Sequence, residues 1–455
     1  MKKLLLFMSA LLLMTACSKD EDNDDDSVPS TEPSWAGVPS KPHEMFERTV
    51  LVYISGENNL SKQIATELSE LRQGSKGIGN NALVVYVDDA NSRRNPYLLW
   101  IREGESVDSV TLDSDPYSSS PEAMSRILNF TSTYYPAQEY GLVLWGHASG
   151  WMIGDSIATS SSARIGSWDD DTVNSRRAFG VDNGENTTSV VGKWINMPTL
   201  ANTLAHWKHL KFIFADCCQF QCIESAYELL GVCDYLIASP AEIPDRGAPY
   251  DTVTKGFFEK SEKFYETIVD SYFAQVVPWS LPWYEYNSRT PLSVIYMPEM
   301  LNLATATHEV LTHFVGEEYP DMSSLIYYMG NQNSSKESVM YDMNDFILKH
   351  TMRKSPATTA DTAAYEKWKE VFDRTVIYKK NAKNGWASSG QVVPSMFQYL
   401  KDDARYGGVS MFVPQNRPNS WYEPYTSNGV AFDGYNKSIK QTAWYYAAHL
   451  NDFGW

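Results

Sequence analysis

"RTVLVYISGENNLSKQIATELSELRQGSKGIGNNALVVYVDD" (residues 48–89) places two apolar, β-branched runs on either side of one amphipathic stretch. The first run, 48–56, has the length of a strand and ends at Gly56. Asn58 or Asn59 can cap the helix that follows. On that helix Leu60, Ile64, Leu68 and Leu71 share a face, and Gly74 stands where a helix should stop. "ALVVYVDD" (82–89) reads as a second buried strand. Strand, helix and strand in this order predict a parallel sheet covered by helices.

The same alternation continues along the chain. "YLLWIREGESVDSVTLD" (97–113) reads as a hairpin, and a helix is expected over 121–135 with Met124, Ile127 and Leu128 inward. "YGLVLWGH" (140–147), "FIFAD" (212–216) and "YLIAS" (235–239) are three further core strands, with a helix opening at Pro198 before the second. The stretch 152–193 is polar, lacks a period and is too long for an ordinary connection, so a functional or mobile segment is expected there. Past 290 come "LSVIYM" (292–297), a helix from Pro298 and a late strand, "GGVSMFV" (407–413). No linker and no internal repeat interrupts the chain. The expected architecture is an α/β/α sandwich around a mostly parallel sheet: a core over 45–290 and a C-terminal extension, 291–455, packed on it.

The N-terminus has a different character. Lys2 and Lys3 precede "LLLFMSALLLM", which is too short to span a bilayer, so 1–16 reads as a secretory signal. "LMTAC" (13–17) resembles a bacterial lipobox, which implies lipid attachment at Cys17. The alternative is an ordinary secreted chain whose signal ends in Cys. "SKDEDNDDD" (18–26) resembles the acidic signal that carries lipoproteins of Bacteroidetes-type bacteria to the cell surface. Residues 17–44, acidic and then proline-bearing, cannot bury a core and read as a tether. Together these predict an outer-membrane, surface-exposed lipoprotein whose membrane contact is the N-terminal lipid alone. With a formal net charge of −18 over 455 residues, no nucleic-acid partner is expected.

Three of the five cysteines fall in "CCQFQC" (217–222), directly after a strand. Ligands of parallel sheets gather at the carboxyl ends of strands. His147 and Cys218 both follow core strands joined by a helical crossover, so they should meet. A thiol is mostly protonated at neutrality, and an imidazole beside it can take the proton on attack and return it to the leaving amine. Backbone N–H groups of "GHASG" (146–150) and of Cys218 are candidates for the oxyanion site. Cys217, Cys222 and Cys233 read as packing. Zinc is unsupported, since no C-x-x-C spacing and no second nearby histidine exist, whereas a disulfide stays open. Asp216, two residues before Cys218, projects to the same side of an extended segment. Spacing alone leaves two roles for it, receiving a cationic substrate side chain or capping a helix from Gln219.

These residues resemble the clostripain family of cysteine peptidases, relatives of caspases, legumains and gingipains. "DCCQFQCIESAYEL" (216–229) keeps the Asp, Cys, Glu and Ala-Tyr-Glu-Leu of the family's nucleophile motif, and "LWGHASGW" (144–151) keeps its His, Gly and Trp. The resemblance implies a caspase-like fold, Cys218 as nucleophile, His147 as base and acid, protein or peptide substrates, and cleavage after Arg or Lys directed by Asp216. It also implies activation by cleavage between the two motifs, with Arg164, Arg176 and Arg177 as candidate points. Ala148 departs from the usual Gly and would strain a turn needing positive φ. Ala248 stands where a pocket Trp is expected, and Arg246 adds a positive charge. Some members need calcium, but no EF-hand-like loop occurs here, so no cofactor requirement follows from the sequence. A non-catalytic surface protein capturing protein or glycan through its 14 Trp and 28 Tyr, or an acyl transferase, are the competing readings.

Overall fold

Alternate residues of the first strand point into two different cores: Leu51 and Tyr53 into one, Val50, Val52 and Ile54 into the other. A strand buried on both faces loses the polar/apolar alternation and reads as a continuous apolar run. The computed structural model describes residues 35–151, 178–190, 192–281, 284–313, 322, 324–329, 340–352, 356–388, 391–392, 400–413 and 439–453. Residues Trp35–Trp455 form one compact unit.

In chain order come β1 (Phe46–Gly56), α1 (Ile64–Gly74), β2 (Ala82–Asp89), β3 (Tyr97–Arg102), β4 (Glu105–Thr111), α2 (Pro121–Tyr134) and β5 (Ala137–Gly146). Then follow β6 (Phe179–Asp182), β7 (Lys193–Ile195), α3 (Met197–Ala205), β8 (Leu210–Asp216), α4 (Ile223–Glu228), β9 (Cys233–Ala238), α5 (Tyr250–Phe257) and α6 (Phe264–Ala274). The remainder includes β10 (Val277–Leu281), β11 (Tyr284–Ser288), β12 (Leu292–Tyr296), α7 (Met300–Leu311), β13 (Tyr327–Met329), β14 (Met340–Asp342), α8 (Met343–Thr351), α9 (Thr359–Thr375) and β15 (Val376–Lys380).

Nine strands make the central sheet in the order β15-β12-β9-β8-β5-β1-β2-β3-β4. The five from β9 to β2 run parallel, and antiparallel pairs extend both edges. This is the expected mostly parallel α/β/α arrangement. The region past 290 is woven into it, since β12 and β15 complete one side of the same sheet.

Two local expectations differ. Gly74 is the last residue of α1 rather than a stop beyond it, and a Cβ there would lie 2.4 Å from the Tyr250 carbonyl oxygen. Its small size lets α5 pack against α1. Towards the end of 152–193, β6 pairs antiparallel with β7, which begins at Lys193; both are too short and mixed in composition to show a period. Residues 152–177, with Arg164, Arg176 and Arg177, lie outside the described residues, as do Cys17 and the N-terminal 34 residues.

Candidate active site

Across the parallel β5–β8 ladder, Trp145 pairs with Asp216. His147 and Cys218 each stand two residues further on, at the adjoining carboxyl ends of these strands. Two backbone features launch His147 from its strand. Gly146 takes φ +149, and a Cβ there would stand 2.8 Å from the Ser55 carbonyl oxygen of β1. The His147 carbonyl accepts a 2.8 Å hydrogen bond from Gly180 N–H, tying the turn to β6. Ala148 is not among the residues with positive φ, so the departure from Gly carries no strain at this position.

The imidazole is half-buried, and its Nε2 lies 2.7 Å from Asn59 Oδ1. An amide oxygen only accepts, so this contact selects the tautomer with the proton on Nε2 and the lone pair on Nδ1. Asn59 is exposed and caps no helix. Asn58 Oδ1 instead accepts from Leu60 N–H, and α1 starts only at Ile64 after a 3-10 turn.

Cys218 is half-buried, whereas Cys217, Cys222 and Cys233 are buried, and all four are free thiols. The disulfide left open by the sequence is therefore absent among the described residues. A single loop, 239–249, braces the segment around Cys218. Ile243 N–H donates to Cys218 Sγ at 3.5 Å, Gln219 N–H to Ala241 O, and Gln221 N–H to Ser239 O. Gln219 is held at φ +56, the left-handed region that a residue with a Cβ rarely adopts, so the chain turns sharply just past the thiol. Burial pushes the Cys218 thiol up to about 12, with the Glu242 carboxylate next in importance and the Ile243 N–H acting against both. Of the "GHASG" donors, Ser149 N–H is committed to Ala178 O at 3.3 Å.

A second brace arrives from the far end of the chain. Ser410 N–H donates to Gln221 O at 3.0 Å, Ser293 Oγ to Gly408 O at 2.6 Å, and Phe412 N–H to buried Glu224 Oε1 at 2.7 Å. Glu224 and Gln221 thereby fix the turn between Cys218 and α4.

Asp216 is 2% exposed. Its Oδ2 accepts from Ala248 N–H at 2.9 Å and Tyr250 Oη at 2.8 Å, and its Oδ1 from Tyr272 Oη at 3.0 Å. Burial raises this carboxyl to about 6 against the pull of the three donors. It does not cap α4, whose N-cap is Cys222. Arg246 does not neutralise it either, being paired with Glu70 at 2.9 Å. Ala248 serves through its backbone, and a side chain as large as Trp is not needed for that contact. Behind Asp216 lies Glu67, fully buried, with neither oxygen hydrogen-bonded; burial, then Asp216 and Glu70, lift it to about 9.

Sequence reasoning missed a group of acids on the other side of His147. Glu57, just past β1, Asp88 near the end of β2, and Asp115 each bring one oxygen within 4.8 Å of the others. They come from three separated segments, so no local motif marks them, although the carboxyl-end rule that selects His147 and Cys218 also points at Glu57 and Asp88.

The model of the clostripain family matches residues 52–446 of this chain. Among solved structures, a secreted C11 cysteine protease from Bacteroides thetaiotaomicron in complex with an irreversible peptide inhibitor is 26% identical, over 89% of this chain and 99% of that one, with a TM-score of 0.66. The secreted C11 protease "iotapain" of the same organism (22% identity, TM-score 0.65) and an inactive zymogen C11 protease from Parabacteroides distasonis (23%, 0.60) share the fold over the same proportions of each chain. No curated protein matches the chain.

Proposed function

Because the chain belongs to the clostripain family and is a cysteine protease, we propose that Cys218 is its nucleophile, His147 its general base and acid, and Asp216 the residue that favours Arg or Lys before the scissile bond. The observation that carries the dyad is the Trp145–Asp216 pairing, which sets both strand ends side by side.

The thiol, pushed up to about 12, is protonated at neutral pH. Its proton therefore leaves for His147 Nδ1 as sulfur attacks the scissile carbonyl carbon, not before. The carbonyl π electrons move to oxygen, and Cys218 N–H is the candidate donor to that oxyanion. Collapse of the intermediate breaks the C–N bond, and the amine departs with the proton returned by His147. Water, deprotonated by the same imidazole, then cleaves the thioester and restores the thiol.

Asp216 supports a basic preference through its remaining capacity. A carboxylate offers about four acceptor positions, and three are filled. The open one is on Oδ1, which has one donor against two on Oδ2. Fluorogenic peptides carrying Arg, Lys, Asp or Leu at the cleaved position, tried on the parent and on Cys218→Ala, test the whole reading. Turnover surviving in Cys218→Ala would end it.

The tether reading is carried by Cys17 and the acidic run behind it. No helix among the described residues is long and apolar enough to cross a membrane. Cys17→Ser should move the chain from the detergent phase to the aqueous phase on Triton X-114 partitioning. Incubating purified parent and Cys218→Ala side by side tests self-cleavage at Arg164, Arg176 or Arg177.

A further inference from the structure

We propose that the trough between α1 and the β3–β4 hairpin binds a peptide C-terminus ending in an apolar residue, held by its free carboxylate. The cavity has a volume of about 550 Å³, within the range of roughly 300–1,000 Å³ that takes small ligands. It follows from the alternation along β4, the last strand of the sheet. Val110 and Leu112 turn into the core on one side, so Ser109 and Thr111 face the other and join Ser106 in the cavity wall. Such an edge offers α1 nothing apolar to cover, and a gap remains. Ile64 and Leu68 of α1 and Tyr97 and Leu99 of β3 give the cavity its apolar side, none of them more than 8% exposed.

Charge narrows the ligand. The formal charges lining the cavity are Arg72, Arg94 and Asp89, a surplus of one positive charge in a chain of net −18. Arg94 is committed: it donates to Asp89 and lies over the Tyr97 ring, 4.3 Å from the centroid. Arg72 is not. Its Nε and Nη2 both donate to Ser106 Oγ, at 3.2 and 3.1 Å, and no carboxylate pairs with it among the described residues. A guanidinium has five N–H donors and a carboxylate accepts two in parallel, so Arg72 keeps enough for one. A single unspent cation suits a singly charged group. A doubly charged phosphate would leave excess negative charge beside Asp89.

The rest of the wall selects a peptide. The Ser109 and Thr111 hydroxyls have no hydrogen-bond partner among the described residues, and Ser61 Oγ, which accepts from Ala90 N–H at 3.1 Å, keeps its own proton to donate. These groups can bond the last amide units of a peptide while Ile64, Leu68 and Leu99 receive its terminal side chain. A fatty-acid chain would strip water from the same hydroxyls and return no hydrogen bond. The site rests on neither the dyad nor the Asp216 reading. For a peptidase it supplies a second hold on a protein substrate, apart from the bond being cut.

The test uses the full chain carrying Cys218→Ala and a fluorescein-labelled peptide ending in Ala-Gly-Leu-Leu, shown intact by mass spectrometry, with fluorescence anisotropy as the readout. The free acid should bind at least about tenfold more tightly than the same peptide with a C-terminal amide, which cannot make the charge-assisted pair. Arg72→Ala should remove that preference while melting within about 2 °C of its parent, since it gives up only the bonds to Ser106 Oγ. Ala65→Phe, from an exposed position on the α1 side of the cavity, should block the acid peptide in a chain that folds normally. The proposal is overturned if neither peptide binds, if acid and amide bind alike, or if Arg72→Ala or Ala65→Phe binds the acid as the parent does. Decanoate binding as tightly as the acid peptide, and lost in Arg72→Ala, would overturn the peptide assignment.

Discussion

Asn59 Oδ1 sits 2.7 Å from His147 Nε2, from an exposed position on the turn after β1, so the ring's tautomer is set by a residue on a different strand end. Asn59 is a positioning residue in this account. Asn59→Ala should lower kcat about tenfold with little change in KM. Asn59→Asp should move the acid limb of the kcat/KM profile to higher pH, because a carboxylate at that distance favours imidazolium. Steady-state kinetics from pH 5 to 9 on both variants check this. An unshifted limb in Asn59→Asp would remove Asn59 from the account.

Alkylation of Cys218 should follow the protonated thiol. With its pKa pushed up to about 12 by burial, the thiolate fraction grows about tenfold per pH unit across the neutral and mildly alkaline range. The rate of iodoacetamide labelling at Cys218, mapped by mass spectrometry, should climb from pH 7 to 10 without a plateau. A plateau below pH 7 would instead mean a preformed thiolate–imidazolium pair.

Asp216 must be ionised to attract a cation, and its carboxyl titrates near 6. Turnover of Arg and Lys peptides should therefore fall more steeply below pH 6 than turnover of a Leu peptide. Asp216→Asn should lower kcat/KM for basic peptides at least tenfold and spare the Leu peptide. Asp216→Ala is a poorer probe, because it strands Tyr250 Oη, Tyr272 Oη and Ala248 N–H at about 1–3 kcal/mol each.

The strands were legible because burial on both faces writes a continuous apolar run, as in "VLVYI" and "FIFAD", and the order of those runs implied the parallel sheet. The placement of His147 and Cys218 at strand ends followed from the same rule. What escaped was contributed by long-range contacts. Asn59 looked like a helix cap because Asn favours turns for several reasons, and nothing local announces an imidazole 88 residues away. Glu67 did leave a trace, since it falls between Ile64 and Leu68 on the buried face of α1. A charge inside an apolar stripe was the available signal.

Glu67 gives the stability prediction. Its carboxyl is lifted to about 9 in the folded chain and returns to about 4.3 when unfolded. The unfolded state therefore releases this proton first. Stability contributed by the protonated group is intact below pH 4 and drains away as pH rises to about 9, the loss reaching roughly 5 kcal/mol at pH 8. Glu67→Gln should melt close to the parent at pH 5 and clearly above it at pH 8. A pH-independent difference would refute buried protonation.

The clasp from Gly408, Ser410 and Phe412 onto Ser293, Gln221 and Glu224 has a consequence in time. A ribosome completes the Cys218 segment long before it reaches this clasp, so a nascent chain carries Cys218 with its supporting turn unfastened. The order of synthesis thereby postpones the fastening of that turn until residues 408–412 have been made.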